Sequence, residues 1–189
     1  MSYNIDEPIE VVAYNPEWPQ LFQREAARLR GGLSEKVDWI EHTGSTSVPG
    51  MIGKPVVDLL FGVDDMEHAY RVAREVEALG YENLGEVLVP GRVYLRCRGA
   101  QHFNVVIVVR SGELWRRIIS VRDYLRAHPE EVDDYCKVKA TAVASGASTF
   151  LSYSTEKGPF LMELAKRAVD WTTAQAGSAQ SSADSTTPT

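Results

Sequence analysis

"IEHTGSTSVPGMIGKPVVDLLFGV", residues 40–63, sets two strand-like runs on either side of a segment dense in glycine and proline. The first run ends near His42, and the turn Gly44-Ser45-Thr46-Ser47 follows. After Val48-Pro49-Gly50 and Gly53-Lys54-Pro55, the run Val56–Val63 is almost wholly apolar, broken by one carboxylate, Asp58. Glycine and proline at this density bend the backbone sharply. A Gly followed by Ser and Thr just after a strand can present N–H groups and hydroxyls to an anion, so Gly44, Ser45 and Thr46 read as a phosphate cradle. The same turn also suits a plain connection in which Ser45 caps a helical turn. It is not a P-loop. Val48 stands where GxxxxGK[ST] needs its first glycine, and Pro55 replaces the hydroxyl that would meet magnesium.

Outward from this stretch, periodicity predicts the remaining elements. Ile9–Tyr14 reads as a first strand, and Trp18, Leu21, Phe22, Leu29 and Leu33 have helical spacing up to Gly31-Gly32. Val37–Glu41 is a short strand, and Glu67–Leu79 a helix with Ala69, Val72, Val76 and Leu79 on one face. Strands are expected at Tyr81–Val89, Arg92–Arg96 and His102–Val109, with Pro90-Gly91 as a turn. From Glu113 the pattern is helical. Leu114, Ile118, Val121 and Leu125 form a stripe ended by His128-Pro129, and Glu130–Ala147 and Phe160–Trp171 follow as two more helices. A mixed sheet built early and then covered by helices is α+β or α/β in class. Residues 1–172 are read as one domain and 173–189, small and polar, as a disordered tail.

Composition narrows the function classes. A chain of 189 residues with 44% hydrophobic and 24% charged content suits one soluble domain. The net charge of −6 provides no global basic field, so long nucleic acid is not an expected partner and any anion site must be local. Cys97 and Cys136 form no CxxC pair and read as reduced residues of a cytoplasmic protein. No signal peptide or membrane span is apparent.

Within the apolar run, Asp58 is costly unless it meets a cation, a metal or several donors. Lys54 could pair with it or neutralise a phosphate. His42 precedes the turn, while His102 and Asn104 share a strand face by period two. Hydrogen-bonded structural roles remain open for both histidines. Arg92 and Tyr94 alternate with Arg96 on one strand side, where guanidinium groups suit planar anions or simply protect an edge strand. Tyr153 and Lys157, four apart, share a face if that turn is helical.

The chain resembles the GrpB family of the nucleotidyltransferase superfamily. The resemblance rests on "VVAYNPEWPQLFQREAARL", "EHTGSTSVPGMIGKPVVDLL", "LGYENLGEVLVPGRVYLRCRG", "HFNVVIV", "RDYLRAHPEEVDDYCKVK" and "YSTEKGPFLMELAKRA", in that order over roughly residues 9–171. It implies a nucleotidyltransferase-like mixed sheet flanked by helices, with a C-terminal helical region. It also implies that the Gly-Ser turn holds phosphates, that Asp58 holds a divalent metal, Mg²⁺ or Mn²⁺, and that Tyr153 and Lys157 face substrate. The superfamily pairs its first acid with a second one residue further along and a third on a later strand. Here Leu60 stands at the partner position, and the later strand offers His102 and Asn104 instead of an acid. A single-metal site of Asp58 and His102 is the expected remainder. The expected catalytic residues are then Asp58, His102 and Lys54, with His42, Gly44, Ser45, Thr46, Arg92, Tyr94, Asn104, Tyr153 and Lys157 binding substrate.

Three functions fit these residues. One is a metal-dependent transferase acting on a nucleotide or other phosphorylated small molecule. A second is a non-catalytic nucleotide- or phosphate-binding module that senses a nucleotide or assists a partner protein. The third is a biosynthetic enzyme that reuses the cleft for other chemistry.

Overall fold

Strand β2, Val56–Val63, sorts its side chains by the two-residue period of a pleated strand. Val57, Leu59, Phe61 and Val63 enter the main core, while Val56 and Asp58 face an open cleft on the other side. The computed structural model describes residues 5–184, with side chains through Gly177. In chain order the other elements are α1 (Trp18–Gly32), β1 (Trp39–Thr43), α2 (Met66–Ala78), β3 (Glu82–Asn83), β4 (Val93–Arg98), β5 (His102–Val109), α3 (Glu113–Ala127), α4 (Pro129–Ala144) and α5 (Phe150–Asp184). A short 3-10 turn, Ser45–Ser47, lies between β1 and β2.

The sheet order is β1-β2-β5-β4-β3, with β2 and β5 parallel and the other pairs antiparallel. The long apolar strands β2 and β5 therefore lie inside the sheet, as their composition requires. One face is sealed by α1 and α2, which supply Trp18, Leu29, Val72 and Val76 to the core against Leu95, Val105 and Ile107. The opposite face looks toward α3, α4 and α5, which gather their own smaller core around Tyr124, Leu125, Tyr135 and Leu164. This is the expected α+β architecture, a mixed sheet flanked by helices with a helical C-terminal region.

Several boundaries differ from expectation. Ile9–Tyr14 is not a sheet strand: the segment makes only isolated bridges, Pro8 with Thr149 and Val12 with Gly53. Its apolar alternation instead serves two separate cores, with Ile9 and Val11 against one and Val12 and Tyr14 against the other. Tyr81–Val89 yields only the two residues of β3, because Gly85 and Leu88 take left-handed φ values of 65° and 64° that turn the chain out of the ladder. The last helix begins at Phe150 rather than Phe160 and carries Pro159 inside it. It also continues to Asp184, past residue 173, where the sequence reading begins a disordered tail; residues 185–189 lie outside the described residues. Past Trp171 no side chain joins the cores formed by the described residues. No helix among the described residues is long and apolar enough to cross a membrane.

Candidate functional site

Gly44 opens the site because only glycine fits there. Its φ of 67° lies in the left-handed region, and a Cβ at this position would sit 2.0 Å from Asp58 Oδ2. The turn thus lies directly against the carboxylate of β2. Gly53 allows a second close approach, since a Cβ there would meet Ser45 Cβ at 2.7 Å. Together these glycines fold residues 44–54 back so that Ser45, Lys54 and Asp58 face one cavity of about 520 Å³.

Asp58 is partly buried, and its Oδ1 accepts a hydrogen bond from Asn104 Nδ2 at 2.7 Å. The amide of Asn104 is held in that orientation from behind. Its Oδ1 accepts from Tyr94 Oη at 2.8 Å and from Arg98 Nη2 at 2.9 Å. Arg98 is itself clamped by Glu7, with Nε and Nη2 donating to the two carboxylate oxygens at 2.9 and 2.7 Å. Asn104 is therefore a positioning residue for Asp58. Burial raises the Asp58 carboxyl above the usual aspartate range, against the opposing effects of the Asn104 hydrogen bond and of the charges on Lys54, Arg98 and Lys157.

The rest of the polar wall is cationic. Lys139 of α4 is 1% exposed; its Nζ donates to Ser45 Oγ at 2.6 Å and to the Ile52 carbonyl at 2.8 Å. Burial, and then the neighbouring charge of Lys157, bring the Lys139 ammonium down to about 7. Burial and the charge of Lys54 bring Lys157 down to about 8. Lys54 is also lowered by burial, and its Nζ lies 4.5 Å from the centre of the Phe150 ring. Arg92 lines the same cavity, with Nη2 donating to the Val87 carbonyl at 3.2 Å and its buried Nε left without a partner. The Tyr153 hydroxyl is likewise buried and unpartnered. Three ammonium groups and a guanidinium thus surround one carboxylate. Such a site lacks negative charge.

Of the residues expected from sequence, Gly44, Ser45, Lys54, Asp58, Arg92, Asn104, Tyr153 and Lys157 all line this cavity. Four others do not. Tyr94 reaches the site only through Asn104. His42 is buried, stacks on Phe22 with 4.8 Å between ring centroids, and shares a hydrogen bond with Thr46 Oγ1 at 3.0 Å. Burial and the charges of Arg126 and Arg122 lower the His42 ring to about 4, so it is neutral near pH 7. Both His42 and Thr46 brace the turn from behind. His102 opens β5 opposite Val56 and is exposed, outside the cavity wall.

Sequence reading missed Lys139, although a signal was present. Tyr135 and Lys139 repeat the four-residue spacing of Tyr153 and Lys157, and each lysine Nζ lies over its tyrosine ring, at 4.3 and 5.4 Å. Arg98 and Glu7 carry no comparable mark, because 91 residues separate them in the sequence.

The donor set does not fit a resident divalent metal. No group of three or more His, Cys, Asp or Glu side chains able to hold a metal ion is present among the described residues. Asp58 has Leu60 rather than an acid at the expected partner position, His102 is outside the cavity wall, and the nearest charged neighbours are cations.

A family profile described as "GrpB protein" matches residues 8–167. The UPF0157 protein YqkA of Bacillus subtilis is 30% identical over 164 residues; these are 86% of this chain but 48% of that one, so this chain spans about half the relative's length. The crystal structure of conserved protein GrpB from Enterococcus faecalis superimposes with a TM-score of 0.77 at 31% identity, covering 85% of this chain and 98% of the other. Terminal uridylyl transferase 4 from Trypanosoma brucei with bound CTP matches at a TM-score of 0.42 and 16% identity, over 76% of this chain and 48% of that one.

Proposed function

From the premise that this chain belongs to the GrpB protein family, we propose that its cleft binds a phosphorylated small molecule through lysine and arginine rather than through a divalent metal. The observation that carries this reading is the convergence of Lys54, Lys139, Lys157 and Arg92 on a cavity with a single carboxylate. In the free protein burial holds all three lysines below the ordinary ammonium range, with Lys54 adding to the effect on Lys157 and Lys157 to that on Lys139. A phosphate seated among them would draw protons back onto the lysines, strengthening its own binding. Ser45 Oγ and the unpartnered Arg92 Nε and Tyr153 hydroxyl supply further hydrogen-bonding groups. Placed this way, the cations stabilise phosphate charge, as metal ions do in two-metal sites.

Asp58 favours a second, catalytic reading of the same cleft. Its carboxyl, raised by burial and held by Asn104, faces the cleft beside the proposed phosphate subsite. There it could accept the proton of an attacking hydroxyl while the lysines steady the transferred group. The reaction would be phosphoryl or nucleotidyl transfer without a resident metal.

Calorimetric titration of the full chain with inorganic phosphate and pyrophosphate tests the first reading. Binding should persist in excess chelator. Lys157→Met should weaken it roughly ten- to a hundredfold, the range for hydrogen bonds to charged groups. The melting temperature should hold or rise, since a buried cation is removed. Asp58→Asn separates the alternatives: an anion site keeps or improves its affinity, whereas a metal-bridged site loses it. Loss of binding in chelator together with loss in Asp58→Asn would restore the metal-dependent reading.

A further inference from the structure

The cavity has two unlike walls. The phosphate-facing wall described above comes from the turn of residues 44–54, β2, β5 and Arg92 just before β4, together with Lys139 and Lys157. The facing wall is hydrocarbon: Leu114, Ile118 and Val121 of α3 and Leu161 and Ala165 of α5. On α3 these positions follow helical spacing, so the first part of one stripe is turned into the cleft while Val121, further along, also packs against the helical core. Leu114 and Ile118 remain only partly buried and lie outside the three core clusters. Apolar side chains left facing a cleft are a binding surface in search of apolar area.

Volume points the same way. A cavity of about 520 Å³ is far larger than a bare phosphate requires, and it lies within the usual range for sites enclosing an organic ligand. Two guanidinium groups also line the cavity on this side, one engaged and one solvated. Arg122 donates to Glu41, Asp123 and the His42 carbonyl, and Arg117 is exposed. A nucleobase placed against this wall would leave its donors and acceptors without partners, at a cost an alkyl group does not incur.

We propose that the ligand is a phosphate ester with a hydrocarbon body, its phosphate among Lys54, Lys139 and Lys157 and its chain along the α3–α5 wall. The inference rests on the anion-binding reading and adds the class of molecule that carries the anion.

The test is a series of titrations of the full chain with inorganic phosphate, methyl, butyl and hexyl phosphate, and AMP, below micellar concentrations. Affinity should rise by up to about fourfold per methylene, the step expected for each buried CH₂, and hexyl phosphate should outbind AMP. Ile118→Ser should flatten the chain-length series while leaving inorganic phosphate unaffected; Leu114→Ser serves the same purpose should the first variant fail to fold. Lys157→Met should lower every member by a similar factor. A flat series with phosphate still bound overturns this inference alone. AMP binding more tightly than hexyl phosphate also overturns it, in favour of a nucleoside body. No binding by inorganic phosphate or any ester overturns the anion reading itself, and this inference with it.

Discussion

At position 44 steric geometry leaves almost no freedom. Gly44→Ala would place a methyl group 2.0 Å from Asp58 Oδ2 and hold an L-residue at a φ of 67°. With ψ at −172° this is a region essentially reserved for glycine, so the backbone term alone costs about 1–3 kcal/mol, and the turn must then move off β2. The expected outcome is a lower melting temperature together with loss of phosphate binding, read by thermal melts and titration of the same sample. His42→Ala should separate those two effects. It removes the ring stacked on Phe22 and leaves Thr46 Oγ1 without its partner, for a loss of about 1–3 kcal/mol. Phosphate affinity at a temperature where the variant is folded should not change. A large affinity loss would instead assign His42 to the ligand. The turn, Asp58 and Asn104 were legible in sequence because polar and glycine residues inside an apolar strand region need a reason to be there. The state of His42 was not legible: its neutral, stacked ring depends on burial in the fold and on Phe22, Arg126 and Arg122, none of which adjoins it in sequence.

Among the elements, the segment before α1 and the start of α5 carry the largest differences from sequence expectation. Strand-like alternation in Ile9–Tyr14 is real, but no ladder neighbour exists, and single bridges to Gly53 and Thr149 take its place. Periodicity reports which side chains are buried; it does not report which strand is available to pair. In α5, Gly158-Pro159 looks like a helix start, yet the helix already runs from Phe150 and presents Tyr153 and Lys157 on its cleft side. The N-terminal segment also acts at the site through Glu7. Glu7→Gln should loosen Arg98, and through it Asn104, costing about 0.5–1.5 kcal/mol for this partly buried pair. The check is a urea melt, in which an unchanged midpoint would show that Arg98 holds Asn104 unaided. Conversely, removing residues 173–189 should alter stability by less than about 0.5 kcal/mol, since among the described residues no core side chain lies beyond Trp171. A larger drop would show that the end of α5 contributes to folding.

The whole molecule carries a net charge of −6, yet one cavity collects three of its six lysines, and this sets two opposite pH dependences. Lys139 and Lys157 titrate near 7 and 8 in the folded chain, below the ordinary lysine value of about 10.4 that they regain on unfolding. Between those values the unfolded chain binds more protons than the folded one. Stability of the free protein should therefore gain a rising contribution from pH 7 to 9 as the two lysines deprotonate. Anion binding requires the opposite state. Sulfate is a suitable probe, because its charge is constant through this range. Its affinity should fall as pH rises from 6 to 9, by up to tenfold per unit for each lysine that must regain a proton. Lys139→Met should remove the component of that fall centred near pH 7 and leave the Lys157 component in place. His42, lowered to about 4, releases its proton below this window, so it does not contribute to either slope. Parallel melts and sulfate titrations at each pH provide the check. Sulfate affinity independent of pH, with stability flat over the same range, would mean that the lysines remain charged in the free protein and that the cavity is wetter than its geometry indicates.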